Sequence, residues 1–252
     1  MSDTETPEGP AGKSRVTTGS STVLTVQSAT LPPMAFRLPQ GIHAIEVSLD
    51  PEERAEAARR LVRDIYPHGE EPLWNTMGSL YGAMADEMLS DGIAFFGIGL
   101  YAIEDGDGAT QGGVAQGGVA HCSVTIAAYE SGDTDPDIVA QGIRAVLLSD
   151  PLCEVSWLDL PCGPAVSAIT FRKLLVDGAY TASGEDTELI MGQIQVHIPF
   201  PTGPYTAVVT LDTASVEQWD EFSQAVAGIV GSLEFPPPGD EPTDPTESPM
   251  DK

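Results

Sequence analysis

Acidic residues at alternate positions are the first groups in this chain whose spacing could support chemistry. Asp133, Asp135 and Asp137 match the start of a calcium-binding loop of the EF-hand type. Such a loop needs glycine at its sixth position and a bidentate glutamate at its twelfth, where this chain has Ile138 and Arg144. The pattern therefore predicts a solvated turn, and we expect neither a metal nor a cofactor.

The thiols and imidazoles are the next candidates, for zinc binding or for nucleophilic catalysis. The three cysteines do not cluster with histidines at zinc-site spacing; they are Cys122, Cys153 and Cys162. His121 and Cys122 are neighbours on a predicted strand, so their side chains should point to opposite faces. A thiol nucleophile would need Cys122 to meet the distant His43 or His197. A buried structural thiol is the alternative.

Motifs of common enzyme families are missing from the sequence. It contains no Gly-x-Ser-x-Gly elbow, no Walker loop and no dinucleotide-binding glycine fingerprint. With 38 acidic residues, pairs of carboxylates occur by chance and point to no active site. We therefore predict a protein that is not an enzyme, and we keep a small thiol- or carboxylate-dependent hydrolase as an alternative.

Two surface features remain as candidate contact sites for a partner. Four of the 11 basic residues fall on one predicted helix, where they form either a salt-bridged outer face or a positive patch for an acidic partner: Arg54, Arg59, Arg60 and Arg63. Phe200 and Tyr205 flank a proline-rich hairpin connection. They are either part of a structural turn or an exposed contact surface.

The charge of the chain limits its partners. The formal net charge is −27, and residues 22–238 alone hold 30 acids and 8 bases. Such a surface repels phosphate backbones and anionic membranes, so we expect no nucleic-acid binding. A basic protein or a cation is compatible with this charge, and another protein is the partner that we expect.

Composition predicts one folded region between two disordered tails. Residues 1–21 and 239–252 are poor in large apolar side chains, so we expect disorder there and a single domain over residues 22–238. The chain starts without an apolar signal segment, and its longest apolar run, residues 93–103, is about half a membrane span. We expect no membrane insertion and a cytoplasmic protein; export without a signal is the alternative.

Three helices and a closing helix are indicated by caps and periodicity. Asp50-Pro51 and Asp135-Pro136 are typical helix starts, with Asp as the N-cap and Pro in the first turn. A further helix is predicted over residues 73–89. The closing helix should begin near Asp212, with Ser215 in a capping box and with Trp219 and Phe222 in the core.

Apolar runs between these helices predict a sheet. We assign strands to residues 42–49, 93–103, 120–129, 153–160, 165–175, 189–198 and 205–211. Residues 34–38 are predicted to form a short extended segment, and residues 23–26 are either a short first strand or part of the N-terminal arm. The duplicated Gln-Gly-Gly-Val-Ala at residues 111–120 is too short for a solenoid and favours a flexible hairpin loop. The fold class is therefore α+β, with a mostly antiparallel sheet of about six or seven strands flanked by helices.

The closing unit resembles the end of the PsbP-like superfamily. The matching segments are Pro201-Thr202-Gly203-Pro204, Leu211-Asp212-Thr213, Trp219 and residues 229–235. Residues 36–41 fit the Phe-x-x-Pro-x-Gly segment with which members of that superfamily often open. The resemblance implies an antiparallel sheet between helices, and an adaptor without catalytic residues that binds another protein.

These observations give three functional hypotheses. The first is a non-enzymatic protein-binding or adaptor module, such as a chaperone or accessory factor of a bacterial secretion system. The second is the small hydrolase, which would need a concave site where Cys122 approaches a histidine. The third is a structural or assembly component that self-associates, which predicts a large apolar patch on the folded surface.

Overall fold

The computed structural model describes residues 22–26, 33–45, 50–90, 93–102, 119–181 and 184–236. The predicted tails, residues 1–21 and 239–252, lie outside these ranges, as does most of the duplicated segment. The division into one domain and two tails stays a prediction.

The described residues form nine strands and four α-helices, with short 3-10 turns at Gly178–Tyr180 and Val216–Gln218. In chain order they are β1 (Thr22–Val26), β2 (Met34–Leu38), β3 (Ile42–Ile45), α1 (Pro51–Ile65), α2 (Glu71–Ser90), β4 (Ile93–Ala102), β5 (Val119–Glu130), α3 (Pro136–Leu147), β6 (Cys153–Leu160), β7 (Gly163–Val176), β8 (Thr187–Pro199), β9 (Tyr205–Thr213) and α4 (Trp219–Gly231).

Seven of the strands form one open antiparallel sheet in the order β3-β4-β5-β9-β8-β7-β6, and β1 and β2 form a separate hairpin. The predicted α+β class with an antiparallel sheet is confirmed. The chain builds part of the sheet from tight hairpins because short connections join β6 to β7 and β8 to β9. The edge strands are β3 and β6.

Helices lie on both faces of the sheet. The apolar side of α4, including Phe222 and Val226, packs with Val196 and Leu211 in the main core. The α1–α2 pair packs on β3 and β4, where Phe96 belongs to a second core cluster. Neighbouring residues of a strand point to opposite faces, so Phe95 joins the main core instead.

Helix α3 lies on the same face of the sheet as α1 and α2, at the opposite end of that face. It packs against β6, β7 and β8. Val166 and Ala168 of β7 are buried but lie outside the main core, whereas their neighbour Ala165 belongs to it. Because alternate residues of β7 face opposite ways, α3 lies on the face opposite α4.

Both Asp-Pro starts form the predicted helix caps. The Asp50 carboxylate accepts the backbone N–H of Glu52 at 2.7 Å and of Glu53 at 3.3 Å. Asp135 caps α3 in the same way. These caps satisfy N–H groups that a helix leaves without an internal partner, and each contributes about 1 kcal/mol.

The predicted start of the closing helix is wrong. Strand β9 continues to Thr213, and α4 begins only at Trp219. Ser215 forms no capping bond; its hydroxyl instead accepts the backbone N–H of His121 at 3.2 Å. Residues 212 and 213 stay in β9 and do not start the helix, because Thr213 pairs with Gly192 of β8.

Other boundaries differ less. Of the strand predicted over residues 42–49, the described part is β3, Ile42–Ile45, and residues 46–49 lie outside the described ranges. Helix α2 begins two residues before the predicted start. Of the two predicted core aromatics on α4, Phe222 is fully buried and Trp219 is partly buried against the main core.

Candidate functional site

The arginines of α1 do not share one outer face. Arg54 is only 7% exposed, and its Nε and Nη2 lie 2.8 and 2.7 Å from the same oxygen of Asp86 on α2. The prediction that Arg54 lies on the outer face is therefore wrong. The α1–α2 turn lays α2 along this side of α1, so the guanidinium ties the two helices together.

The remaining three arginines are exposed, and Arg59 and Arg63 lie beside α2. Arg59 pairs with Glu56 at 2.8 Å, and this hydrogen bond, followed by the charges of Arg59, Arg60 and Arg63, lowers the pKa of Glu56. The guanidinium of Arg63 lies 5.7 Å from the Trp74 ring centroid, within range for a cation–π contact. We call Arg59, Arg60 and Arg63 the α1 basic surface.

An open groove adjoins the α1 basic surface. It lies between α1 and α2 and has a volume of about 540 Å³. Small residues line most of it, and the groove lining is Ala55, Arg59, Asn75, Gly78, Ser79, Gly82, Ala83 and Asp86. Its polar groups are one guanidinium, one carboxylate, one amide and one hydroxyl, which can hydrogen-bond a ligand but do not form a catalytic pair.

Phe200 is part of the core, although the hairpin tip was a candidate contact surface. It is 1% exposed, and its ring centroid lies 4.2 Å from that of Phe235 and 6.0 Å from that of Tyr205. The chain after α4 returns to this end of the sheet and covers the ring. Tyr205 is partly buried beside it, so Phe200 offers no surface to a partner in this fold.

The sheet separates the one candidate thiol nucleophile from its candidate bases. Cys122 faces the α4 side, with Gly99 as its partner on β4, and burial raises its pKa to about 11. His43 and His197 are paired with Ile98 and Val208, on the opposite face. Neither histidine is therefore placed where it could act as the base that deprotonates the Cys122 thiol.

One hydroxyl and one imidazole do approach each other, a contact that the sequence did not indicate. Ser215 Oγ lies 3.5 Å from His121 Nδ1. That hydroxyl already accepts the His121 backbone N–H, and the distance is long for proton transfer. The contact is therefore structural and joins β5 to the turn before α4.

Carboxylates and imidazoles do not gather into a metal site in the described ranges, where no group of three potential ligands is close enough. The Asp133 carboxylate accepts the N–H of Asp135, and Asp135 caps α3, so this acidic segment shapes a turn. Within the same ranges, no helix is long and apolar enough to cross a membrane.

Exposed apolar side chains are the most distinctive surface feature of the described residues. One set lies on the outer side of α3 and in the turn after it and is between 52% and 77% exposed: Ile138, Val146, Leu148 and Leu152. We call this set the α3 outer surface. A second set lies on β7 and β8 beyond the end of their neighbours: Phe171, Leu174, Leu175 and Ile190.

The sequence analysis placed the second set within predicted strands and identified neither set as a surface feature. The signal that was available is an apolar run too long for one face, at residues 145–148 and at residues 174–176. A helix or strand that is apolar on two sides needs two buried sides.

Comparison with known proteins gives no family. No family model matches the chain, and no curated protein matches it. A solved structure, of LpqN involved in cell envelope biogenesis of Mycobacterium tuberculosis, is similar with 14% sequence identity and a TM-score of 0.32, over 56% of this chain and 92% of LpqN. That likeness is too weak to carry an argument. The resemblance to the PsbP-like superfamily is not confirmed.

Proposed function

We propose that this chain is a non-enzymatic protein-binding module of the adaptor type. The observation that carries the proposal is the exposed apolar side of α3. The inner side of this helix, with Val139 and Ala140, already packs on the sheet. Its outer side adds Ile138 and Val146, and the following turn adds Leu152.

Exposure of these apolar side chains to water is unfavourable, and a partner that covers them would remove this unfavourable free energy. Each large aliphatic side chain gains about 1.5–3 kcal/mol on full burial. The α3 outer surface has four of them, and the polar residues between them in the chain are Gln141, Arg144, Ser149 and Asp150. Contiguous exposed apolar groups on a folded protein typically mark a protein contact site.

The α1 basic surface is proposed as a second contact site, for an acidic segment of another protein. Arg59, Arg60 and Arg63 are exposed there, although neighbouring acids neutralise part of their charge. The adjoining groove could receive an extended side chain between α1 and α2. A module with two separate contact surfaces can join two proteins, which is what an adaptor does.

We further propose that the chain belongs to the PsbP-like superfamily and is a chaperone or accessory factor of a bacterial secretion system. Both proposals rest on the segments that resemble that superfamily. The observed sheet between helices is compatible with both.

A differential capture experiment tests the α3 proposal. The full chain, the double variant Val146→Lys/Leu152→Lys and the control Leu80→Lys would be used as baits in a lysate of the source organism. Leu80 is half-exposed on α2, so the control adds the same charge elsewhere. We expect a protein that binds the full chain and the control in stoichiometric amount, and that the double variant loses.

Salt separates the two proposed contact surfaces. Contact through the apolar α3 outer surface should persist at high ionic strength, whereas contact through the α1 basic surface should weaken as charges are screened. Capture of the same proteins by all three baits would contradict the α3 proposal.

A further inference from the structure

Strands β7 and β8 extend beyond the rest of the sheet as a two-stranded arm. Strand β6 pairs with β7 only as far as Thr170, and β9 pairs with β8 only from Gly192 onward. Among the described residues, residues 171–176 therefore pair only with β8, and residues 187–191 pair only with β7. We call these two segments the arm.

The arm exposes apolar side chains on both of its faces. Phe171, Leu174, Leu175 and Ile190 are between 46% and 66% exposed. Phe171 and Leu175 share the α4 side, and Leu174 lies on the other side, because alternate strand residues face opposite ways. A helix or loop packed on the arm could cover the apolar side chains of only one face. A strand added at the edge of the arm would place new side chains beside the apolar side chains of both faces.

The edge of β7 within the arm is open. Successive residues of an antiparallel strand direct their N–H and C=O groups to opposite sides, so about half of the amides in residues 171–176 point away from β8. These groups form a template for another strand. An open edge with apolar faces associates with another chain unless something blocks it.

Charge along this edge is polarised. Arg172 and Lys173 lie at the end nearest the sheet, three apolar residues follow, and Asp177 comes at the far end. Lys173 also pairs with Glu188 across the arm at 2.9 Å. An antiparallel partner of the same sequence would place its acidic end beside this basic end. The edge is therefore complementary to a second copy of itself.

We propose that the β7 edge of the arm pairs with the same edge of a second copy of this chain about a twofold axis. Isologous pairing of this kind closes the assembly as a dimer. An axis at Lys173 would set two lysines directly opposite each other, which is unfavourable. An axis at Leu174 sets the two leucines opposite each other and brings Lys173 opposite Leu175 of the other copy.

The overall charge makes this edge a selective contact. Each copy carries a formal charge of −27, so most pairs of surfaces repel. Two of the 11 basic residues of the chain lie at this edge. Self-association here does not depend on the α3 outer surface or on the proposed adaptor function.

A charge-mixing experiment tests the twofold pairing. The full chain, Leu174→Lys and Leu174→Glu would be studied by sedimentation velocity over a wide range of concentration. The full chain should dimerise, and each variant alone should associate at least about tenfold more weakly, because like charges then meet at the axis. An equal mixture of the two variants should recover the dimer, which a folding defect would not allow.

The control is Leu80→Lys on α2, which adds the same charge at a similarly exposed position outside the arm and should leave dimerisation unchanged. Circular dichroism would verify that all variants fold, as expected for substitutions at half-exposed positions. A full chain that stays monomeric would overturn the proposal. Dimers that persist in both Leu174 variants, or a mixture that stays monomeric, would overturn it equally.

Discussion

Trp219 lies directly over Gly192. A Cβ atom on Gly192 would be 2.5 Å from Cζ3 of the indole ring, and the Phe171 ring centroid is 4.7 Å from that of Trp219. Since glycine has no side chain, the indole can close on β8 where the arm leaves the sheet. The first residue of α4 is thereby fixed to the base of the arm.

Substitution of Gly192 by alanine should therefore destabilise the fold. The added methyl group has no space unless Trp219 moves, and overpacking of this kind typically costs about 1–3 kcal/mol. Urea unfolding followed by tryptophan fluorescence would measure the loss in the free energy of unfolding.

The matched control is Gly142→Ala on α3, where an added Cβ meets no atom within 4 Å. This change should stabilise the protein by about 0.5–1 kcal/mol, because alanine favours a helix more than glycine does. Equal stability of Gly192→Ala and the unmodified chain would show that the indole contact is not tight.

Phe200→Ala should be among the most destabilising single changes in the chain. Removing a buried phenylalanine ring costs about 3–5 kcal/mol. Phe171→Ala removes the same ring from a half-exposed position and should cost about 1 kcal/mol. Chemical denaturation of both variants gives the comparison. A small loss in the free energy of unfolding for Phe200→Ala would contradict its burial and would make Phe200 a candidate contact residue again.

The elements that could be predicted from sequence are those that depend on neighbouring residues. Asp50-Pro51 and Asp135-Pro136 start helices because a carboxylate reaches N–H groups two and three residues along the chain. Alternation of apolar residues identified most strands for the same reason. The antiparallel sheet followed from the prediction that consecutive strands form hairpins.

The site could not be predicted in the same way because exposure depends on distant residues. Arg54 is buried because α2 packs along α1 and brings Asp86, 32 positions away, beside the guanidinium. Phe200 is buried because the chain beyond α4 brings Phe235 over it. The open edge of the arm exists because β6 begins at Cys153 and leaves part of β7 unpaired. None of these relations has a local signature.

Cys122 should react far more slowly with iodoacetamide than Cys153 does. Burial raises the Cys122 pKa to about 11, so only about one thiol in a thousand is ionised at pH 8. The side chain is also buried, whereas Cys153 is partly exposed. Timed alkylation and peptide mass spectrometry would measure the two rates.

Alkylation in urea gives the reference for this comparison, because both thiols are then exposed and should react alike. Cys122 labelling as rapid as that of Cys153 in the folded protein would reopen the hypothesis of a thiol-dependent hydrolase.

His197 should make the stability of the fold depend on pH. Both of its ring nitrogens are buried and lack a hydrogen-bond partner within the described ranges, and burial lowers its pKa from 6.5. The unfolded chain therefore binds a proton at a higher pH than the folded chain does. Stability from the neutral imidazole is complete above about pH 6.5 and is lost as the pH falls towards the folded-state pKa.

Urea unfolding at a series of pH values between neutral and mildly acidic would test this expectation. The carboxylates add their own pH dependence, so the informative quantity is the difference between the full chain and His197→Gln, which cannot gain a proton. The variant should lose less stability on acidification. His121→Gln, which removes an exposed imidazole, provides the comparison for loss of a histidine as such. Parallel stability curves for the full chain and His197→Gln would mean that the His197 ring is protonated in the fold as readily as in the unfolded chain.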